Sequence, residues 1–155
     1  MYLGLDCSTF AIHGAIVDTS ENLISLHKWS SRQKNFEGRF PEILLGFSED
    51  LSKIKVTVEI EFAALEAAIF IQNPKTTIAI AHVVGAAWLG LLDLGIPSIL
   101  IDNRRWKKII LGKGNASKID IKNFAVDKWG ERFPEQDYAD AACIALWNKR
   151  RTDNG

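Results

Sequence analysis

Apolar and polar positions alternate along the chain in blocks whose periods predict a mixed α/β layout. Leu3 to Asp6 is a short apolar run, Ile12 to Val17 a second and Leu23 to Trp29 a third. Turn-type residues separate them, first Cys7-Ser8-Thr9 and then Asp18-Thr19-Ser20-Glu21-Asn22, so the opening thirty residues predict a three-stranded meander. Pro41 suits the first turn of a helix running towards Ile54, with Ile43, Leu44, Phe47 and Leu51 at helical spacing. Val56, Val58, Ile60 and Phe62 alternate with Thr57, Glu59 and Glu61, which predicts a fourth strand. Beyond Phe62 both parities turn apolar, as where a strand enters the middle of a sheet.

Asn73-Pro74 then opens a helix that is apolar on nearly all faces from Thr76 to Leu92, and such a helix must be buried by the sheet or by a second subunit. Pro97 to Ile101 predicts a fifth strand. The chain after Asn103 is helical and basic, broken at Gly112-Lys113-Gly114, and a last helix runs from about Glu135 to Lys149. Three hairpin-linked strands followed by helix, strand, helix, strand and helices make an α/β sheet with right-handed crossovers.

Composition adds bounds. A chain of 155 residues with 47% hydrophobic and 25% charged residues fits one globular domain, expected over 1–155 with 150–155, including Arg150 and Arg151, as a flexible tail. No basic leader precedes an apolar core, and the Thr76–Leu92 run is interrupted by His82 and small residues. The expectation is a cytoplasmic protein with no membrane partner. Cys7 and Cys143 have no metal-ligand spacing and read as buried thiols; His13, His27 and His82 read as ordinary core or surface residues.

Four acids stand out. Asp6 ends the first apolar run. Glu66 is in phase with Val58, Ile60, Phe62 and Ala64, and Asp137 and Asp140, three apart, share a helix face. A lone carboxylate on a buried strand is costly unless it is paired or binds a metal. Oxygen-only ligands suit Mg²⁺ or Mn²⁺, and two such ions about 4 Å apart can activate water and stabilise the leaving oxygen of a phosphodiester. Each acid has a plainer alternative: Asp6 could cap the turn at Ser8 and Thr9, Glu66 could pair with a lysine, and the two aspartates could complement a helix N-terminus.

Net charge is zero, so any contact with nucleic acid must be local. Arg104, Arg105, Lys107, Lys108, Lys113, Lys118, Lys122 and Lys128 face only Asp120 and Asp127 in their stretch, eight cations against two anions. That excess can neutralise phosphates, or simply form a solvated face.

Leu3-Gly4-Leu5-Asp6-Cys7-Ser8-Thr9 with Gly14, then Phe62-Ala63-Ala64-Leu65-Glu66, then Asp137-Tyr138-Ala139-Asp140-Ala141-Ala142 resemble in order the three acid-bearing segments of the RuvC-type Holliday junction resolvases. The resemblance spans essentially the whole chain. It implies a ribonuclease H-like fold, an α/β mixed five-stranded sheet with three antiparallel strands and then parallel ones, flanked by helices. It implies Asp6, Glu66, Asp137 and Asp140 as catalytic acids holding two Mg²⁺ ions, with Mn²⁺ as substitute.

By the same resemblance Lys107 or Lys108, and Lys118, approach the scissile phosphate, and Lys118 stabilises charge near the reacting group. Phe70, which follows Glu66 and Ile69, would stack on a base at the crossover, or else belong to the core. The implied activity is symmetric hydrolysis of four-way DNA junctions by a homodimer, leaving 5′-phosphate and 3′-hydroxyl ends. The helix carrying Ile78, Val83, Val84, Trp88, Leu91 and Leu92 is its expected interface.

Cys7-Ser8 stands where bacterial members usually carry Pro-Gly and looks more like the phage-encoded branch. The first segment also resembles the phosphate-binding strand of actin-like sugar kinases, which need a second domain and further Gly-rich loops. A nuclease for other branched DNA and a non-catalytic junction-binding module are the remaining alternatives.

Overall fold

A computed structural model describes residues 1–68, 73–130 and 132–153. Its strands are β1 (Tyr2–Cys7), β2 (Ala11–Val17), β3 (Leu23–Ser30), β4 (Phe62–Glu66) and β5 (Ser98–Ile101). Its helices are α1 (Phe36–Thr57), α2 (Pro74–Asp93), α3 (Asn103–Leu111), α4 (Lys118–Trp129) and α5 (Gln136–Asp153). The sheet order is β3-β2-β1-β4-β5; β1, β2 and β3 pair antiparallel, whereas β4 is parallel to both β1 and β5. This is the mixed five-stranded sheet expected from the pattern.

The alternation of side chains along β1 builds two cores. Leu3, Leu5 and Cys7 point towards α1 and α2, where Ile43, Phe47 and Leu51 meet Val83, Val84, Ala87 and Leu91. Tyr2 and Ala64 join the opposite core, where Ala141, Ala142, Ala145 and Trp147 of α5 pack with Trp106 of α3 and Ile121 of α4. Gly4 lets α5 lie directly on β1. A Cβ there would stand 2.2 Å from the Ala145 nitrogen and 2.3 Å from the Ala141 oxygen. At the far end of α5 the buried Asn148 amide donates to the Leu3 and Phe62 carbonyls.

Four expectations change. Helix α1 begins at Phe36, capped by Asn35 accepting from the Gly38 amide, so Pro41 lies inside it and not at its start. The same helix runs on to Thr57, so Val56 is an exposed residue of its last turn, and the fourth strand begins only at Phe62. The alternation of Val56, Val58 and Ile60 was ambiguous because Leu51, Ile54 and Val58 also continue a helical spacing.

Helix α2 is long and apolar enough to cross a membrane, but Val83, Val84, Ala87 and Leu91 bury one face against the sheet and α1. Its other face, with Ile78, Leu89 and Leu92, is exposed, so the run is half-covered rather than buried within the chain. Finally, residues 150–153 are helical and not a tail: Arg150 donates to both Glu21 carboxylate oxygens, and Arg151 lies over the Phe62 ring.

Candidate metal centre

Asp6 is the penultimate residue of β1, and it points with Tyr2 and Gly4 to the α5 side of the sheet. Ser8 makes the following turn by itself, its hydroxyl oxygen accepting from the Phe10 and Ala11 amides, so Asp6 is not spent as a turn cap. Glu66 ends β4, the parallel neighbour of β1, and its side chain leaves the sheet on the same face. Asp137 and Asp140 sit in the first two turns of α5, Asp137 half-buried and Asp140 buried.

One carboxylate oxygen from each of Asp6, Asp137 and Asp140 lies within 4.8 Å of the others. Glu66 joins Asp6 and Asp140 in lining a cleft of about 120 Å³, completed by Asn103, Lys107 and Lys118. Lys118 is the first residue of α4, placed there by a capping box in which Ser117 and Asp120 exchange hydrogen bonds. Its ammonium lies 3.3 Å from Asp137 Oδ1.

The electrostatics of the cluster follow from crowding. Burial, then the charges of Asp140, Glu66 and Asp137, push the Asp6 carboxyl well above the usual carboxylate range against the pull of Lys118. Asp140 is pushed up to about 6, chiefly by burial and further by Glu66 and Asp137, with Lys118 opposing. Burial alone would lower the Lys118 ammonium; Asp137, Asp140 and Asp6 outweigh it and raise it. Three acids drawn together with one exposed lysine as counter-charge are a poor resting state for anions and a good one for a cation. The donor set contains only oxygens, which suits a hard divalent ion.

Glu66 is held differently from the aspartates. Asn103 Nδ2 donates to its Oε1 at 2.8 Å and Trp106 Nε1 donates to its Oε2 at 2.7 Å. Neither donor was singled out in the sequence, although a residue following β5, the parallel neighbour of β4, must emerge beside Glu66.

His13 was read as an ordinary buried histidine. It is buried, but it stands opposite Asp6 in the β1–β2 register, its Nε2 3.2 Å from Glu135 and its Nδ1 3.9 Å from Asp137 Oδ2. Burial lowers its pKa, against the raising influence of Glu135 and Asp137. Glu135 is also held by Lys28 Nζ. The hairpin register alone could have found this residue.

The basic stretch divides. Lys107 lines the cleft, and Arg104, Arg105 and Lys108 are exposed on α3 beside it. Lys113 turns back to Asp120 at 3.0 Å, and Lys128 pairs with Glu21 at 2.5 Å. Lys122 lines a separate hollow of about 510 Å³ with Val126, Arg132, Phe133 and Pro134. The expected run of cations is therefore not one surface. Phe70 lies outside the described residues.

Acids converging from the first and fourth strands and the last helix, on a sheet of order β3-β2-β1-β4-β5, define a ribonuclease H-like protein with a candidate divalent-metal centre. The profile of the crossover junction endodeoxyribonuclease RuvC family matches residues 3–147, and the chain belongs to that family. It is 24% identical over 145 residues to RuvC of Cupriavidus metallidurans, covering 93% of this chain and 80% of that one. RuvC of Wigglesworthia glossinidia brevipalpis is 23% identical over 124 residues, 78% of this chain and 74% of that one.

The fold is also that of Thermus thermophilus RuvC solved in complex with a Holliday junction substrate. The TM-score is 0.81 at 15% identity, over 99% of this chain and 94% of that one. The yeast mitochondrial Holliday junction resolvase Ydc2 superposes with a TM-score of 0.52 at 14% identity, over 96% and 78% of the two chains.

Proposed function

We propose that this chain, acting as a single catalytic domain, is a divalent-cation-dependent endodeoxyribonuclease that resolves four-way DNA junctions, with Asp6, Glu66, Asp137 and Asp140 as its metal-holding acids. The observation that carries the reading is the convergence of Asp6, Asp137 and Asp140 oxygens within 4.8 Å at one end of the cleft that Glu66 lines. Two Mg²⁺ ions, or Mn²⁺ in their place, would supply there a water activated for attack and charge to stabilise the leaving oxygen. A symmetric pair of such hydrolyses leaves 5′-phosphate and 3′-hydroxyl ends.

The chain's own residues do the rest. Burial and neighbouring carboxylates disfavour the ionised forms of Asp6 and Asp140, and a bound cation would offset that penalty by neutralising their charge. Lys118 is free to swing from Asp137 because its side chain is largely exposed. Its ammonium then faces a phosphate in the cleft and stabilises developing negative charge. Lys107 lines the same cleft, and Arg104, Arg105 and Lys108 on α3 extend the positive surface for a DNA arm. Lys113 and Lys122 are more distant contacts, and Phe70 keeps its role as a base-stacking residue at the crossover.

A junction with two-fold symmetry calls for two sites. Ile78, Ala81, Gly85, Leu89 and Leu92 form an exposed apolar stripe along α2, with the small residues at its centre allowing close approach of a second helix. We assign it to a homodimer interface and not to a membrane, and place the protein in the cytoplasm.

The test is cleavage of labelled four-way, three-way and linear DNA with Mg²⁺ or with EDTA. Paired nicks in the four-way junction with Mg²⁺ and none with EDTA are expected. Preferential cutting of three-way or linear DNA would replace the junction assignment with a broader branched-DNA nuclease. Binding without any cutting would leave a junction-binding module.

A further inference from the structure

Both oxygens of the Glu66 carboxylate are tied by neutral donors from one face of one helix. Asn103 and Trp106 are three residues apart on α3 and reach Oε1 and Oε2 at 2.8 and 2.7 Å. Among the described residues, no hydrogen bond of this kind reaches the Asp6 or Asp140 side chains. Trp106 is wholly buried in the core under α5, so its indole N–H is fixed, and Asn103 is fixed by the start of the helix, where Asp102 caps the Arg104 and Arg105 amides.

A carboxylate has about four lone-pair positions, so two donors fix its plane and still leave each oxygen able to meet a cation. Neutral donors achieve this without cancelling the charge, as a lysine would. Lys107 lies over the same indole, its ammonium 5.5 Å from the ring centroid, and also lines the cleft.

We infer that Trp106 and Asn103 are positioning residues that set Glu66 for its cation and fasten the cationic helix α3 to the metal centre. The inference rests on the reading of Glu66 as a metal-holding acid. Partners behind a metal ligand typically govern affinity by about 10- to 100-fold, and here both partners belong to the helix whose cations are proposed to face DNA. Occupation of the Glu66 side is therefore felt by Trp106 and, through it, by Lys107.

The experiment is a titration of the full chain with Mg²⁺, read by tryptophan fluorescence, and with Mn²⁺, read by calorimetry. The proteins are wild type, Trp106→Phe, Asn103→Ala, Glu66→Gln and each of the first two variants combined with Glu66→Gln. Trp106→Phe keeps a buried ring and removes the donor; Asn103→Ala, at a half-buried helix start, serves if the first variant is poorly folded.

The expected result is a Mg²⁺-dependent fluorescence change lost in Trp106→Phe while Trp29, Trp88, Trp129 and Trp147 remain. A Mn²⁺ affinity about tenfold weaker in either single variant should accompany it, with no further weakening when Glu66 is already Gln. Wild-type affinity in both single variants would overturn the inference, as would an equal loss in the Glu66→Gln background, which marks a merely structural role. A wild type that binds Mn²⁺ but cuts no junction would overturn the proposed function and leave the clamp standing. No Mn²⁺ uptake by the wild type would remove both.

Discussion

Two carboxylates about 4 Å apart repel by about 4 kcal/mol at an effective dielectric of about 20, and Asp6, Asp137 and Asp140 bring their oxygens within 4.8 Å of one another. Burial, with the charges of Glu66 and Asp137 added to it, holds Asp140 at about 6 instead of the usual carboxylate value of 3.8. Without a cation the folded chain binds its proton more tightly than the unfolded chain does. Stability is then greatest below about pH 4 for this group and falls as pH rises through 6, by an amount on the order of 3 kcal/mol. A divalent cation removes the penalty, so Mg²⁺ should raise the melting temperature more at pH 7.5 than at pH 5. Thermal melts at the two pH values check this; an equal shift at both would contradict it.

At the same scale, Asp6→Asn should bind a four-way junction normally and cut it more than about 100-fold more slowly, beyond the effect of disturbing an outer partner. Gel-shift and cleavage assays on one preparation measure both. The four acids stood out in the sequence through the three segments that carry them, and Lys118 through the family resemblance; the structure brings these side chains to one place. Asn103 and Trp106 did not, because their contacts to Glu66 exist only once β5 has crossed over to lie beside β4. His13 lay between these cases, one hairpin register away from being read.

Elements set these side chains by close packing. Helix α5 carries two of the acids, and its distance from β1 depends on Gly4, where a Cβ would meet backbone atoms of Ala141 and Ala145. Because backbone cannot rotate out of the way, Gly4→Ala should cost about 3 kcal/mol or more. It should also lift Asp137 and Asp140 away from Asp6, so a weaker Mn²⁺ affinity accompanies the lower stability. Urea unfolding and calorimetry on the variant test the pair of effects; a loss of stability with unchanged metal affinity would detach α5 placement from the site.

Most elements could be read from periodicity alone. The failures were at α1 and its junction with β4, where Val56, Val58 and Ile60 satisfy a strand period while Leu51, Ile54 and Val58 satisfy a helical one. There the cap at Asn35 and the packing of Ile43, Phe47 and Leu51 decide in favour of the helix.

For the whole molecule the outward stripe of α2 matters most. The apolar character of this helix was plain in the sequence, but which face the chain itself would cover was not, because both faces are apolar. Replacing Leu89, exposed in the C-terminal half of the stripe, with Glu should dissociate the proposed dimer without disturbing either core. Sedimentation equilibrium should show a monomer mass for Leu89→Glu and a dimer for the wild type. The variant should nick junctions singly rather than in pairs. A wild-type monomer at micromolar concentration would remove the dimer.

The proposed activity requires cations to lodge among the four acids. Anomalous diffraction from crystals soaked in Mn²⁺ looks at that directly. Two peaks about 4 Å apart are expected, flanked by the carboxylates of Asp6, Glu66, Asp137 and Asp140. An ordered cleft without a peak, with manganese bound only at other surface acids, would contradict it.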